Sequence, residues 1–211
     1  MSKSMGIAER REREFRQREQ SILQAALGLV GSTPWAEITI DRIAEQAEIG
    51  KGTVYKHFRS KEEILAKLRV GCSLELLEKL KQVDPALGPI PRLKESIKIH
   101  LRTIYEDSRQ FSLWQQCTGI DPQSLSPELA AEFVGSEEAI YGHFSGLLEE
   151  GRRLGLVSGE QPDLQIFAGH AAMVGSLILL QIPRNKSLPL EEVLEYLADF
   201  ITRRLEPGPP P

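Results

Sequence analysis

Apolar residues return every three or four positions along almost all of this chain, and nowhere do they alternate with polar ones. That period keeps one face of an α-helix dry, so the pattern predicts an all-α protein. Phe15, Ile22, Leu23, Ala26, Leu29 and Val30 form the first such face, which stops near Gly31, and Ser32, Thr33 and Pro34 then punctuate the chain. Ile40, Ile43, Ala44 and Ala47 make two further turns, with Thr39 placed as a cap and Gly50 as the expected stop. Residues 51–58 read as a second short helix with Val54 and Phe58 on its inner face. Ser60-Lys61-Glu62-Glu63 is a capping box, whose serine and glutamate can satisfy the free amides of a new helix. That helix should continue through Ile64, Leu65, Leu68 and Leu76 to about Gln82. After the break "DPALGPIP", helices are expected at about 91–107, 109–118, 127–154, 163–181 and 189–205. The elements group into an N-terminal three-helix unit over 14–70 and a larger helical domain over 71–205. The ending "EPGPPP" has too little apolar content to fold, so 206–211 is expected to be a disordered tail.

Composition changes this picture little, since 211 residues with 41% hydrophobic and 27% charged content suit an ordinary globular chain with a real core. Cys72 and Cys117 match no zinc or redox spacing and read as reduced thiols of a cytoplasmic protein. The N-terminus is charged rather than apolar, unlike a signal peptide. Residues 164–183 contain no Asp, Glu, Lys or Arg, but Gln165, His170, Ser176 and Gln181 dilute them for a membrane span. A helix in a core or a subunit interface explains that segment better. Charge is unevenly placed: residues 1–70 hold thirteen Lys and Arg against ten Asp and Glu, the remainder thirteen against twenty. The net −4 therefore hides a mildly basic N-terminal part.

The stretch "GKGTVYKHFRSKEE", residues 50–63, concentrates the chemistry. A phosphate-cradling glycine loop would follow a strand, and here the glycines follow a helix. Catalysis by Tyr55 and His57 lacks an orienting acid or a nucleophile at useful spacing. Two short apolar-faced helices joined by a tight turn instead make a helix-turn-helix. With Val54 and Phe58 turned inward, Lys51, Gly52, Thr53, Tyr55, Lys56 and His57 are expected to point outward, as donors for phosphates and base edges. Residues 39–68, "TIDRIAEQAEIGKGTVYKHFRSKEEILAKL", resemble the DNA-binding signature of TetR-family transcriptional regulators. Ile43-Ala44, Gly52-Thr53, Tyr55-x-His57-Phe58 and Ser60-Lys61-Glu62 all stand in that register. The resemblance implies phosphate contacts at Thr39, Thr53, Tyr55, His57 and Lys61, and base-facing positions at Lys51, Gly52 and Lys56. Lys56 replaces an aromatic residue common there, so base preference does not transfer. The run "RREREFRQR", 10–18, is equally readable as contacting phosphates or a minor groove and as a solvated helix extension, because glutamates interrupt its arginines.

Beyond residue 70 the resemblance implies a small-molecule-binding, dimerising domain. The nearly charge-free run 164–182 and the apolar stripe of the last helix support a homodimer interface of two helices per subunit. Its expected residues are Leu164, Phe167, Ala172, Gly175, Leu179, Leu194, Leu197, Phe200 and Ile201. Candidate ligand-lining residues are His100, Tyr105, Phe111, Trp114, Cys117, Tyr141, Phe144, His170 and Met173. His143, His170 and Cys117 lack the close pair that anchors a metal site, and no metal or cofactor is expected. The partners implied are double-stranded DNA with a partially palindromic operator, a second copy of the chain and a small-molecule effector, and no membrane. The function implied is a dimeric, ligand-released repressor, with the sign of the ligand response open. The competing class is a helical enzyme or small-molecule carrier with an incidental helix-turn-helix, and nothing in 80–211 resembles a catalytic constellation.

Overall fold

The helical period is realised throughout the computed structural model, which describes residues 2–30, 33–117, 119–158, 162–182, 187–203 and 205. The expected tail, 206–211, lies outside these. The helices are α1 (Ser2–Val30), α2 (Ile40–Gln46), α3 (Lys51–Val54), α4 (Lys61–Lys81), α5 (Pro89–Glu106), α6 (Ser108–Cys117), α7 (Pro127–Arg153), α8 (Pro162–Leu180) and α9 (Leu190–Arg203). Short 3-10 turns stand at Trp35–Glu37 and Pro122–Ser124, and no strand occurs among the described residues. The chain divides into two compact units: Met1–Gly71 with Phe111–Val134, and Cys72–Gln110 with Gly135–Pro211.

In the first unit α1 packs on α2 and α2 on α3, around Ile22, Ala26, Ile38, Ile43, Val54 and Phe58. Three local details differ from the pattern read in the sequence. Helix α1 starts at Ser2 rather than near Glu14, supported by (i, i+4) pairs from Arg10 to Glu14 and from Arg16 to Glu12. Helix α3 ends at Val54, because Lys56 and His57 donate to the carbonyls three residues back and tighten the chain into a turn. Glu48, not Gly50, takes the left-handed position that closes α2, with φ 55°. The amide of Ile49 donates to Ala44 O and that of Glu48 to Glu45 O, the two bonds of a Schellman motif. Gly50 is extended and serves as the N-cap of α3.

The second unit packs α5 against α8 and α9, and α8 against α9. Leu93, Ile97, Leu101 and Ile104 give α5 its buried face, while Leu76, Leu80 and Ile140 form a cluster flanked by Ile99 and Phe144. Helix α7 also ends in a Schellman turn, this time with glycine in the left-handed seat (Gly155, φ 70°). A side chain at Gly151, whose carbonyl accepts from Leu156, would collide with Val157 at 2.6 Å. Helix α8 stands apart from its neighbours: Asp163–Leu180 is long and apolar enough to cross a membrane by length and composition, yet only 17% of it is buried.

Candidate nucleic-acid interface

The α2–α3 corner is built so that its polar side chains cannot all turn away from the protein. Val54 is fully buried and Phe58 nearly so, which orients the rest of residues 51–58. Lys51, Gly52, Tyr55 and Lys56 are exposed, with Tyr55 at 50%. Thr53 and His57 are half-buried, contrary to a fully outward set. The His57 ring stacks on Phe15 of α1 at 4.1 Å between centroids, and its Nδ1 is buried without a hydrogen-bond partner. Burial holds its pKa below the usual imidazole value, so the ring favours its neutral form. Lys51 is exposed but paired with Asp41 of α2 at 2.7 Å, and this hydrogen bond raises the pKa of the ammonium. Gly52 has ordinary helical space around it: a Cβ there would meet nothing within 4 Å.

Thr39 and Lys61 hold the corner from its other end. The Thr39 hydroxyl accepts the Arg42 amide at 3.2 Å and so caps α2. The Lys61 ammonium donates to three carbonyls of the turn before α2: Trp35 at 3.1 Å, Ala36 at 3.4 Å and Ile38 at 3.2 Å. It also lies 5.7 Å from the centroid of the Trp35 ring. All three of its donors are engaged within the protein, a geometry that the capping box gave no reason to expect.

Glu63 also departs from the sequence reading. The Ser60 hydroxyl accepts the Glu63 amide at 3.3 Å, as a capping box requires. The Glu63 carboxylate, however, accepts from the amides of Arg59 (2.7 Å) and Ser126 (2.9 Å). Only 3% exposed, it joins the start of α4 to the residue before α7 within the first unit. Ser126 is 63 residues distant in sequence, and local spacing carries no signal for such a pairing.

The candidate ligand residues fall in both units. Phe111, Trp114 and Cys117 belong to the first, where the Phe111 and Trp114 rings are 5.9 Å apart and the Cys117 thiol faces Leu65 O at 3.9 Å. In the second unit His100 lies 5.9 Å from Phe144, and Ser96 Oγ is hydrogen-bonded to His143 Nε2 at 2.8 Å. Ser96, His100 and Thr103 form a buried polar row on α5, and Met173 is buried. Tyr105 is half-buried, whereas Tyr141 and His170 are on the surface. Among the described residues no group of three His, Cys, Asp or Glu side chains is placed to hold a metal ion. Of the expected interface residues, Leu164, Phe167, Leu179 and Phe200 are exposed, and Ala172, Gly175, Leu197 and Ile201 are half-buried. Leu194 is a correction: at 0% exposure it belongs to the core of its own unit and has no surface to offer.

A short helix presented on a three-helix scaffold, carrying exposed lysines and a tyrosine, defines a helix-turn-helix DNA-binding protein. Residues 22–68 match the family of bacterial regulatory proteins, tetR family, the part of the chain that carries the helix-turn-helix. It is similar to the HTH-type transcriptional regulator YhgD of Bacillus subtilis (strain 168), 25% identical over 151 residues that cover 71% of this chain and 77% of that one. In fold it is similar to the regulator FadR from Bacillus subtilis in complex with stearoyl-CoA, with a TM-score of 0.73 and 17% identity over 89% of this chain and 99% of that one. The TetR-family regulator PfmR from Thermus thermophilus gives a TM-score of 0.67 and 22% identity, over 88% and 99% of the two chains.

Proposed function

We propose that this regulator acts in the cytoplasm as a homodimeric repressor, binding a partially palindromic operator and leaving it when a small molecule occupies the C-terminal unit. The observation that carries the reading is the surface of α8 and α9. Phe167 (70%), Phe200 (57%) and Tyr196 (73%) are exposed, and Leu164, Ile178 and Leu179 extend the apolar surface. Covering such a side chain contributes on the order of 1.5–3 kcal/mol, so this face favours a permanent partner. A second copy fits better than a membrane, because α9 sets charged residues such as Glu191, Glu192 and Glu195 beside its aromatic ones. A two-fold pairing of DNA-reading units then calls for half-sites about one helical turn (~34–36 Å) or more apart.

Ligand response is supported by the interior of the second unit. The His100 and His143 rings lie beside Phe144 and Ser96 is hydrogen-bonded to His143, a mixture of polar and apolar side chains of the kind small-molecule sites use. A regulator of similar fold is described in complex with stearoyl-CoA. On this reading Lys51, Gly52, Tyr55 and Lys56 face the bases and phosphates, with Thr39, Thr53 and His57 at the margin. Lys61 keeps the turn before α2 in place. Sedimentation should give a dimer, and mass spectrometry of the natively purified protein should reveal the effector. Calorimetry of that compound with and without operator then tests the response, since coupling is reciprocal. Weaker binding with DNA present supports release; equal binding would refute it, and tighter binding would make the compound a co-repressor.

A further inference from the structure

The stretch 10–18 leaves DNA contact and simple solvation equally open as sequence, because it mixes arginine with glutamate. In the folded chain the acids are accounted for. Glu12 pairs with Arg16 at 2.9 Å and Glu14 with Arg10 at 2.8 Å. Arg11 and Arg18 form no ion pair among the described residues. They are seven residues apart, two turns of helix, and so share one face of α1 with Phe15 between them. That face turns toward the recognition element. Arg11 and Arg18 line one side of an open groove whose other side is formed by Thr53, Lys56 and His57. The Phe15–His57 stack ties the two sides together at 4.1 Å. The acids that reach the groove are Glu14, which Arg10 neutralises, and Glu48 at the α2–α3 corner.

We propose that this groove is a second DNA contact, in which Arg11 and Arg18 neutralise backbone phosphates beside the half-site that α3 reads. The inference rests on the DNA-binding role of α3. The two guanidinium groups stem from points about 10 Å apart along α1, a separation that suits two different phosphates of the backbone rather than a single base edge. Lys56, on the opposite side, extends the positive surface toward the groove read by α3. Half or more of protein–DNA hydrogen bonds go to the backbone, and arginine donates to phosphate in a bidentate fork. Helix α1 thereby adds affinity and register without adding base preference.

The test uses a duplex selected by the full-length protein from a random-sequence pool, with affinity measured by fluorescence anisotropy from 50 to 200 mM salt. Arg11→Ala/Arg18→Ala should reduce the slope of log affinity against log salt by about 1.8 per half-site, near 0.9 per phosphate lost. Over that fourfold salt range the variant then loses roughly tenfold less affinity per half-site than the wild type. The low-salt weakening should be the same whatever bases flank the half-site. Arg13→Ala removes one positive charge from another face of α1 and should leave the slope near wild type. Glu14→Gln, which unmasks Arg10, should tighten binding. All four side chains are exposed, so circular dichroism should show unchanged helix content. A wild-type slope in the double variant would overturn the proposal, as would a drop in Arg13→Ala of about 0.9, the same per charge removed. A loss confined to A·T-rich flanks would also overturn it, in favour of minor-groove readout. Failure of the wild type to select any duplex would instead overturn the DNA-binding reading of α3 together with this one.

Discussion

The outward surfaces of α3 and of α8–α9 are chemical opposites. One offers Lys51, Tyr55 and Lys56 around a glycine, and the other offers Phe167, Leu179, Tyr196 and Phe200. Water satisfies the first at little cost, and an anionic partner can displace that water and leave again as salt or ligand changes. The second loses free energy in water for as long as it is uncovered. A polar recognition surface thus suits reversible contact and an apolar one suits a lasting partner. On the proposed function, the two surfaces would divide the work between a switchable face and a constitutive one.

The largest effect that separates them should come from charging the apolar face. Phe167→Glu/Phe200→Glu is expected to raise the dimer dissociation constant by roughly a thousandfold or more, at about 2 kcal/mol or more for each side chain lost from an interface centre. Analytical ultracentrifugation checks it, and unchanged helix content would show that the fold of each chain survives. A variant that remains dimeric at micromolar concentration would move the interface elsewhere.

Next is Gly52→Ala, which sharpens the meaning of the polar face. The free protein has room for the methyl group, and alanine in place of glycine should stabilise α3 by up to about 1 kcal/mol. Operator affinity should nonetheless fall, by roughly tenfold (about 1.4 kcal/mol), because the close approach of backbone to DNA is lost. Thermal melting and a binding isotherm together decide it. If affinity is unchanged while stability rises, glycine has no role in recognition here.

Lys61→Met asks whether this cation belongs to the DNA face at all. Removing it takes the ammonium donor from the carbonyls of Ala36, Ile38 and Trp35, the last of which keeps the Ile38 amide, and a loss of about 1–2 kcal/mol in denaturant unfolding is expected. A salt slope lowered by about 0.9 with unchanged stability would instead make Lys61 a phosphate contact.

The smallest effect is the pH response. Burial, then the nearby Arg92, holds His143 below its ordinary pKa of 6.5, and burial does the same for His57. The unfolded chain therefore binds these protons more readily than the folded one. Their contribution to stability is fully present above pH 6.5 and is lost as pH falls through the lower, folded pKa values. Denaturant titrations at pH 7.5 and 5.5 should show the decline, and His143→Gln should flatten part of it. An unaltered pH slope in that variant would discount the histidine.

The recognition helix was readable because its signals are local. Val54 and Phe58 are four apart, Thr39 and Ser60 are cap residues, and the Ile43-Ala44 to Lys61 register is contiguous. The α8–α9 surface was also readable, since a helix whose one charged residue is Asp163 stands out in a chain that is 27% charged. What the pattern did not predict correctly was where individual polar atoms go. Leu194 and Phe200 both belong to the apolar stripe of α9, yet one is sealed in the core and the other is exposed. Only the packing of α5 and α8 against α9 distinguishes them. Sequence rules prefer glycine in a left-handed cap and so point to Gly50, whereas the two Schellman hydrogen bonds hold Glu48 there.

By itself, then, the sequence determined the all-helical plan, the position of the helix-turn-helix and the presence of an unusually apolar C-terminal helix. These follow from periodicity, capping and composition, which act over a few residues. Tertiary structure alone decided that Lys61 turns its charge to Trp35, Ala36 and Ile38, and that Glu63 reaches Ser126. It alone set Arg11 and Arg18 on the groove beside Lys56. Each of these depends on side chains from separate elements meeting in space, at distances where hydrogen bonds and charge act but sequence spacing carries no information.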